Sequence, residues 1–334
     1  IYINNLQALM AELLQGKEKV YYNLGSNQRY DQYLNDWLKK LRTLHRKGVD
    51  GPREIVNLDD LLFDLRVIKD DLEKDIMRKA AKVSAAGHVR AMKKAKQCTW
   101  EYELEAEFRY ECIRNGLREV AYTSIVGSGA NTCTLHYNSN NQKIDKNGLV
   151  LIDAGGEYEY YAADITRTFP ANGKFTEEQK LIYNLVLKSQ LAAIEQVKPG
   201  ASWDKAQEVI LEIITQGLVD LGLIKSNGLT LKYLILAEAY KPFYMHKSGH
   251  FLGLDVHDVG KYKIKDQWCL LQPGMVLTIE PGIYIKANMP GVDPKWWNIG
   301  VRIEDDVLVT EQGHEILTSD VPKQVSEIEK LMNE

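Results

Sequence analysis

Five side chains with metal-binding chemistry constrain this chain more than any other feature of its sequence. They are four carboxylates and one imidazole, and they lie at Asp153, Asp164, His250, Glu280 and Glu304. Each occupies a stretch with the residue pattern of a short strand or hairpin. An oxygen-rich set with a single nitrogen suits two divalent ions that share bridging carboxylates, Mn²⁺ before others. Because two such ions about 4 Å apart activate water, the sequence predicts a dinuclear metallohydrolase.

The first two carboxylates flank a candidate hairpin. Asp153 follows the apolar run LVLI, and Asp164 comes 164 − 153 = 11 residues later. Two strands of about five residues, turned at Gly155-Gly156, would bring both carboxylates to one end of the hairpin. The alternative is a surface hairpin with two solvated aspartates. A carboxylate that leaves a buried strand must be paired or bound to metal, which favours the metal site.

The segment MHKSGHFLGLDVHD is rich in histidine. Three of the seven histidines of the chain, His246, His250 and His257, fall within it. A single histidine is more often a packing or surface residue than a ligand. Here the acidic residues elsewhere favour one imidazole as the nitrogen ligand of an oxygen-rich site.

The last two carboxylates also follow strand patterns. Glu280 ends an apolar run before Pro281, and Glu304 alternates with Arg302 in GVRIEDD. Residues two apart on a strand share a face, so Arg302 and Glu304 are expected to point the same way. A surface Arg–Glu ladder is the alternative, but apolar residues on the opposite face favour Glu304 as a bridging ligand and Arg302 as its partner. The adjacent Asp305 and Asp306 are expected to be solvated turn charges.

The order of predicted elements indicates an α+β fold. A strand near residues 19–25 and a helix near 31–47 predict part of an α/β unit. Four longer helices are predicted after it, at 70–97, 101–115, 176–197 and 202–221. Gly116 ends the second of these and Thr176 caps the third. Strand patterns follow each helix pair, so each half offers helices that cover one face of an antiparallel sheet.

Composition excludes several classes of partner. Lys and Arg total 42 and Asp and Glu 46, a net charge of −4, which gives no reason to expect nucleic acid or an anionic membrane. No apolar run approaches the length of a membrane span. The four scattered cysteines form no C-x-x-C motif and fit a reducing cytoplasm.

The quoted segments resemble those of the pita-bread metallopeptidases. The resemblance is carried by DAGGEYEYYAADITRTFP, GHFLGLDVHDVG, EPGIYI and GVRIEDD, and it is strongest to the bacterial aminopeptidases P. It implies a pita-bread fold in residues 69–334, a curved antiparallel sheet covered by two helix pairs. Residues 1–68 resemble the latter half of a creatinase-like amino-terminal α/β domain, so that domain is expected to be partial.

The resemblance also implies metal ligands. Asp153 would bind one ion and His250 the other, while Asp164 and Glu304 would bind both. Glu280 would be a ligand and a general base. Thr166 and Thr278 are expected to orient ligand carboxylates.

The same resemblance implies substrate-binding and catalytic residues. His136, in TLHYN, would lie beside the scissile bond, and His246 and His257 would contact the substrate and the tetrahedral intermediate. Arg302 and Tyr284 are expected in or behind the pocket. Lys247 departs from the family, which often has glycine there. Because glycine permits backbone torsions that lysine adopts only at a cost, the loop that places His246 is expected to differ locally.

The implied activity is hydrolysis of the amino-terminal Xaa-Pro bond by a dimetal-bridged hydroxide. The cofactors would be two Mn²⁺ ions, with Zn²⁺, Co²⁺ or Fe²⁺ as alternatives, and the partners peptides with proline second. A homo-oligomer, dimer or tetramer, is expected. A prolidase that cuts dipeptides is the alternative within enzymes. An inactive pita-bread binding module is the other, and such modules typically lose ligands that are all retained here.

Overall fold

The computed structural model describes residues 5–334, in which helices and short strands alternate. The α-helices are α1 (Leu6–Leu13), α2 (Gln28–Leu44), α3 (Asp59–Val67), α4 (Asp71–Lys94), α5 (Glu101–Arg114), α6 (Glu177–Ile194), α7 (Lys205–Asp220), α8 (Leu231–Leu236) and α9 (Val325–Asn333). The strands are β1 (Lys19–Tyr21), β2 (Glu54–Val56), β3 (Glu119–Val120), β4 (Ile125–Ser128), β5 (Leu149–Asp153), β6 (Gly156–Tyr158), β7 (Tyr161–Ala162), β8 (Thr166–Pro170), β9 (Lys263–Ile264), β10 (Gln267–Trp268), β11 (Val276–Ile279), β12 (Gly282–Ile285), β13 (Ile299–Arg302), β14 (Asp305–Val309) and β15 (His314–Ile316).

The long helices begin where their side chains satisfy the free backbone N–H groups of the first turn. At the start of α4, Asp70 accepts a hydrogen bond from the Glu73 N–H while Glu73 accepts one from the Asp70 N–H. Thr176 and Gln179 exchange the same two bonds at the start of α6. These reciprocal caps fix the helix starts locally. The predicted long helices and the predicted Thr176 cap are confirmed.

The chain divides into two compact units between Leu65 and Arg66. In the first, β1 and β2 pair in parallel and α1 packs on α2. The division lies a few residues before the predicted boundary at 68/69. That the first unit is part of a creatinase-like domain stays a prediction.

The second unit combines helix pairs with small antiparallel sheets. Its three-stranded sheets have the orders β4-β5-β8, β3-β6-β7 and β11-β14-β15, and β12 pairs with β13. Helix α4 packs on α5 and on β6, whereas α6 packs on α7 and on β13. One apolar core runs through both helix pairs and the strands beneath them. The predicted order of helix pair, strands, helix pair, strands is therefore observed.

The hairpin between Asp153 and Asp164 reverses at a different place from the one predicted. Strands β5 and β8 pair with Asp153 opposite Thr166, so both aspartates lie at the same end of the ladder. The chain turns at Glu159-Tyr160, which have φ values of 47° and 70°. The prediction of a turn at Gly155-Gly156 is wrong. Gly155 is needed for close approach instead, because a Cβ there would lie 1.6 Å from the Ala163 carbonyl oxygen.

Asp305 and Asp306 are buried, so the prediction that they are solvated is wrong. Asp305 accepts hydrogen bonds from four side chains, those of Arg167, Thr318, Gln190 and Lys323. Although burial opposes it, the charges of Arg167 and Lys323 hold the pKa of Asp305 well below its usual range. None of these partners is near Asp305 in sequence, which is why the local pattern gave no sign of them.

Within the described part of the chain, no helix has the length and apolarity needed to cross a membrane.

Candidate metal centre

Four of the five predicted ligands lie at or close to strand ends, and the tertiary structure brings them together with His250, which lies in the loop between α8 and β9. Asp153 is the last residue of β5, Glu280 follows β11 directly, and Glu304 lies between β13 and β14. Two backbone hydrogen bonds join these segments to their neighbours. The Glu304 N–H donates to Thr166 O at 3.1 Å, and the Thr278 N–H donates to His250 O at 2.9 Å. The second bond places His250 beside the strand that leads to Glu280.

The ligand atoms are close enough to share metal ions. One ligand atom from each of Asp164, His250 and Glu304 lies within 4.8 Å of the others. His250 Nε2 is 3.5 Å from an Asp164 oxygen and 3.7 Å from a Glu280 oxygen. The structure therefore brings Asp164, His250, Glu280 and Glu304 together directly, and Asp153 joins them through Tyr122.

Tyr122 was not predicted as a site residue. Its hydroxyl is 2.6 Å from Asp153 Oδ1 and 2.5 Å from Asp164 Oδ1, so it connects the two aspartates. Burial and the charges of both aspartates hold the pKa of Tyr122 well above its usual range, which keeps the phenol protonated and able to donate. The sequence around it, AYTSIVG, carries no motif that marks it.

Neighbouring hydroxyl groups orient two of the carboxylates. Thr166 Oγ1 donates to Glu304 at 2.6 Å, and Thr278 Oγ1 lies 3.5 Å from a Glu280 oxygen. Such contacts fix the direction of a ligand's free lone pairs. Asp306 holds the backbone of Asp164, because its carboxylate accepts a hydrogen bond from the Asp164 N–H at 3.1 Å.

Arg302 pairs with Asp153 rather than with Glu304. Its guanidinium donates to Asp153 Oδ2 at 2.6 Å, to the Tyr284 hydroxyl at 3.0 Å and to Thr166 Oγ1 at 3.2 Å. The expected partnership with Glu304 is indirect and runs through Thr166. The difference arises because β13 and β5 belong to different sheets that pack against each other, which spacing along one strand does not reveal.

The pKa values of the predicted ligands are shifted because several carboxylates are buried close together. Burial raises the pKa of Asp164 and of Glu304, and it raises that of Glu280 to about 7. Burial opposes protonation of His250, but its contact with Asp164 and the charge of Glu280 raise its pKa to about 9. These four side chains together therefore favour added positive charge.

The residues present fit divalent cations. Buried carboxylates need compensating positive charge. Of the four predicted ligand carboxylates, Asp153 is the one that pairs directly with the Arg302 guanidinium. The hydroxyl groups of Tyr122 and Thr166 already hold carboxylate oxygens of the predicted ligands in fixed directions. A donor set of carboxylate oxygens and one imidazole suits Mn²⁺ and related ions.

A cavity of about 610 Å³ opens onto the cluster. Its walls include all five predicted ligands and further residues predicted to bind substrate, namely His136, His246, His257 and Arg302. The His257 ring stands edge-on to His250 with the ring centres 4.3 Å apart. The structure thus brings the predicted histidines to one space beside the candidate ligands.

Tyr284 lies behind the cavity and does not line it. It is fully buried, and its hydroxyl contacts His246 Nε2 at 2.8 Å and accepts from Arg302. His246 Nδ1 lies 2.8 Å from the Lys247 carbonyl oxygen, so both of its nitrogens have protein partners. Burial and the charge of Arg302 lower the pKa of His246 to about 4, which keeps the ring neutral.

Lys247 does not use a backbone conformation that favours glycine, since it is not among the non-glycine residues with positive φ. That the histidine loop differs from the family's at this position stays a prediction. The Lys247 side chain is exposed and lines the cavity. The residue that replaces glycine therefore places a cation at the wall of the site.

Comparison with known proteins agrees with this geometry. Metallopeptidase family M24 matches residues 75–311. The Xaa-Pro aminopeptidase of Escherichia coli is 43% identical over 321 residues, which cover 96% of this chain and 72% of that protein. The Xaa-Pro aminopeptidase of Haemophilus influenzae is 48% identical over 280 residues, which cover 84% of this chain and 64% of that protein.

Solved structures give the same result. The aminopeptidase PepP of Pseudomonas aeruginosa matches with a TM-score of 0.95 and 49% identity, over 100% of this chain and 75% of that one. Zinc-substituted aminopeptidase P of Escherichia coli, in complex with product, matches with a TM-score of 0.95 and 41% identity, over 100% of this chain and 74% of that one.

The chain belongs to metallopeptidase family M24. Within that family its relatives include the bacterial Xaa-Pro aminopeptidases named above, and the chain spans about two thirds to three quarters of their length. The predicted pita-bread fold and the predicted class, a hydrolase of the Xaa-Pro aminopeptidase type, are confirmed.

Proposed function

We propose that this chain releases the first residue of peptides with proline second, at a centre of two Mn²⁺ ions. The observation that carries the proposal is the convergence of Asp164, His250, Glu280 and Glu304 at the floor of one cavity whose walls carry His136, His246 and His257. Metal-ligand groups and polar groups for a substrate share one space, as hydrolysis requires.

Asp153, Asp164, His250, Glu280 and Glu304 would hold the ions. Bound there, the metals would lower the pKa of water and polarise the scissile carbonyl group. Tyr122 and Arg302 would keep Asp153 in place, and Thr166 would do the same for Glu304. Mn²⁺ and the count of two are supported by the oxygen-rich donor set.

Glu280 would move the proton. Its carboxylate follows β11 and lines the cavity, where it would accept a proton from the attacking water and then release it. The receiving group is the proline nitrogen, which must be protonated as the bond breaks. One Glu280 oxygen lies 3.8 Å from His246 Nδ1, beside the substrate space.

The histidines would bind and orient the substrate. His136 and His257 line the cavity and can donate to peptide carbonyl groups. His246, held between Lys247 O and Tyr284, would shape the wall and reach the substrate only by exchanging one of these bonds. A prolyl nitrogen carries no hydrogen, so proline can be selected by ring shape and by the missing donor.

The deciding experiment is Mn²⁺-dependent release of free arginine from Arg-Pro-Pro, with Arg-Pro and Arg-Ala-Pro as comparison substrates. After the metal has been removed and Mn²⁺ added back, the proposal expects the protein to cleave Arg-Pro-Pro and to leave Arg-Pro and Arg-Ala-Pro intact. Cleavage of Arg-Pro alone would assign a prolidase. Cleavage of Arg-Ala-Pro at the same rate would contradict selection of proline, and no cleavage despite bound Mn²⁺ would favour a binding module.

Assembly as a dimer or tetramer and a cytoplasmic location stay predictions. The four scattered cysteines support the cytoplasmic location.

A further inference from the structure

One carboxylate outside the metal centre carries an unusual number of hydrogen bonds. Glu101, the first residue of α5, has no solvent exposure. Its Oε1 accepts from the Ser128 N–H at 2.8 Å and from Asn131 Nδ2 at 2.9 Å. Its Oε2 accepts from the Tyr137 hydroxyl at 2.7 Å and from the Gln142 N–H at 3.0 Å. The Glu101 carboxylate therefore accepts four hydrogen bonds, and all four donors are neutral groups.

The four donors mark out the segment that carries His136. The segment begins at Ser128, the last residue of β4, and ends at Gln142. Tyr137 lies in its middle, directly after His136. The Glu101 backbone N–H also donates to Gln142 O at 3.0 Å. One residue therefore joins the beginning, the middle and the end of this segment.

Around His136 the segment is supported by side chains: Leu135 and Tyr137, its two neighbours, also pack against a small apolar cluster that includes Ile125 and Leu151. The chain makes a turn at Leu135 and His136, and residues 137–141 belong to no helix, strand or turn. Asn140 provides a second anchor, since its side chain bonds to Val126 N and Ser124 O. A loop held by side chains in this way has the conformation that those side chains impose.

His136 itself is exposed and lines the cavity of the metal centre. Its position is set by its backbone and hence by the adjacent Tyr137. We infer that Glu101 is a positioning residue for substrate binding, which acts through His136 by fixing the segment 128–142. This inference rests on the proposed function for its kinetic consequence, but its structural part does not.

Glu101→Gln tests the inference with almost no change of shape. A glutamine replaces one acceptor oxygen by a donor NH₂ group, which would then face two donors of the segment. We expect kcat/KM on Arg-Pro-Pro to fall about tenfold or more, because small displacements of substrate-positioning groups have effects of this size. We also expect faster amide hydrogen exchange in residues 135–141, with bound Mn²⁺ per chain unchanged.

The same substitution in a His136→Ala background distinguishes positioning from general destabilisation. If Glu101 acts through His136, the added loss of kcat/KM there is less than about twofold. An equal loss in both backgrounds would overturn the inference. Glu107→Gln is the matched control, because Glu107 lies on the same helix and accepts from Arg90 instead. It should change neither kcat/KM nor exchange in this segment.

Tyr137→Phe covers the case in which Glu101→Gln does not fold. It removes one of the four donors and should give the same non-additivity with His136→Ala at smaller size. Wild-type protein that leaves Arg-Pro-Pro intact would contradict the proposed function. The exchange rates would still decide whether Glu101 holds the segment, since unchanged exchange in Glu101→Gln would refute it.

Discussion

Arg302 donates a hydrogen bond of 2.6 Å to Asp153, and the exposed fractions of the two side chains are 5% and 13%. Arg302 ends β13 and Asp153 ends β5, so this ion pair joins the two halves of the larger unit at the metal centre. The guanidinium also donates to Tyr284 and to Thr166, through different nitrogens. Because a guanidinium has a planar fork of donors, one residue can hold three partners in fixed directions.

Arg302→Lys should keep the charge and lose most of this geometry. A lysine ammonium cannot serve all three partners from the guanidinium position, so we expect kcat/KM to fall about a hundredfold. Steady-state kinetics on Arg-Pro-Pro measure the loss. Arg78→Lys is the control, since Arg78 pairs with Glu315 at a partly exposed site. Activity retained in both variants would contradict a role for the fork.

Tyr122→Phe should weaken metal binding. The substitution removes the hydroxyl that contacts Asp153 and Asp164, with one hydrogen to share between them, and leaves the ring in place. Loss of a hydrogen bond that orients a ligand typically lowers metal affinity about tenfold to a hundredfold. Mn²⁺ titration by calorimetry measures the change. Tyr161→Phe, which removes a hydroxyl bonded to Glu73, should bind Mn²⁺ like the wild type.

Mn²⁺ should stabilise the folded chain, because the buried carboxylates have their ligand geometry only in the folded state. An excess of about a hundred times Kd corresponds to roughly 3 kcal/mol of unfolding free energy. Thermal unfolding with and without Mn²⁺ measures the shift. Asp164→Ala should lose both this shift and activity while it keeps the wild-type circular dichroism spectrum. Asp71→Ala, at an exposed helix start, should retain both. An Mn²⁺-dependent shift of wild-type size in Asp164→Ala would place the ions elsewhere.

His88 should make the fold sensitive to acid. It is fully buried on α4, its Nε2 donates to Ala154 O at 2.9 Å, and its Nδ1 has no hydrogen-bond partner. Burial lowers its pKa to about 4 from 6.5, so the folded state holds the neutral ring. The unfolded chain takes up the proton first as the pH falls. The stabilisation is therefore complete above about pH 6.5 and is lost between that pH and about 4.

His88→Gln provides the measurement, because glutamine can donate to Ala154 O and does not titrate. Between pH 7.5 and pH 5, the wild type should lose about 2 kcal/mol more unfolding free energy than the variant. Urea unfolding of both proteins at both pH values gives the comparison. The same loss in the two proteins would show that His88 does not titrate on unfolding.

Local features of the fold could be predicted because their causes lie within a few residues. Asp70 and Glu73 are three apart, and so are Thr176 and Gln179, so reciprocal caps are visible in the sequence. Runs of apolar residues that end at a carboxylate likewise located Asp153 and Glu280 as candidates. The hairpin turn was misplaced because glycine serves close approach as well as turns, and periodicity does not distinguish the two.

The sequence by itself determined the type of fold, the helix starts and the set of candidate ligands. The tertiary structure alone decided which donors meet those ligands. Tyr122 reaches Asp164 across 42 positions, and Arg302 reaches Asp153 across 149. It also decided that Asp305 and Asp306 are buried, and that Glu101 collects the donors around His136. The physical reason is range: caps and periodicity act between neighbours in the chain, whereas burial and hydrogen bonds between distant segments arise only when the segments pack together.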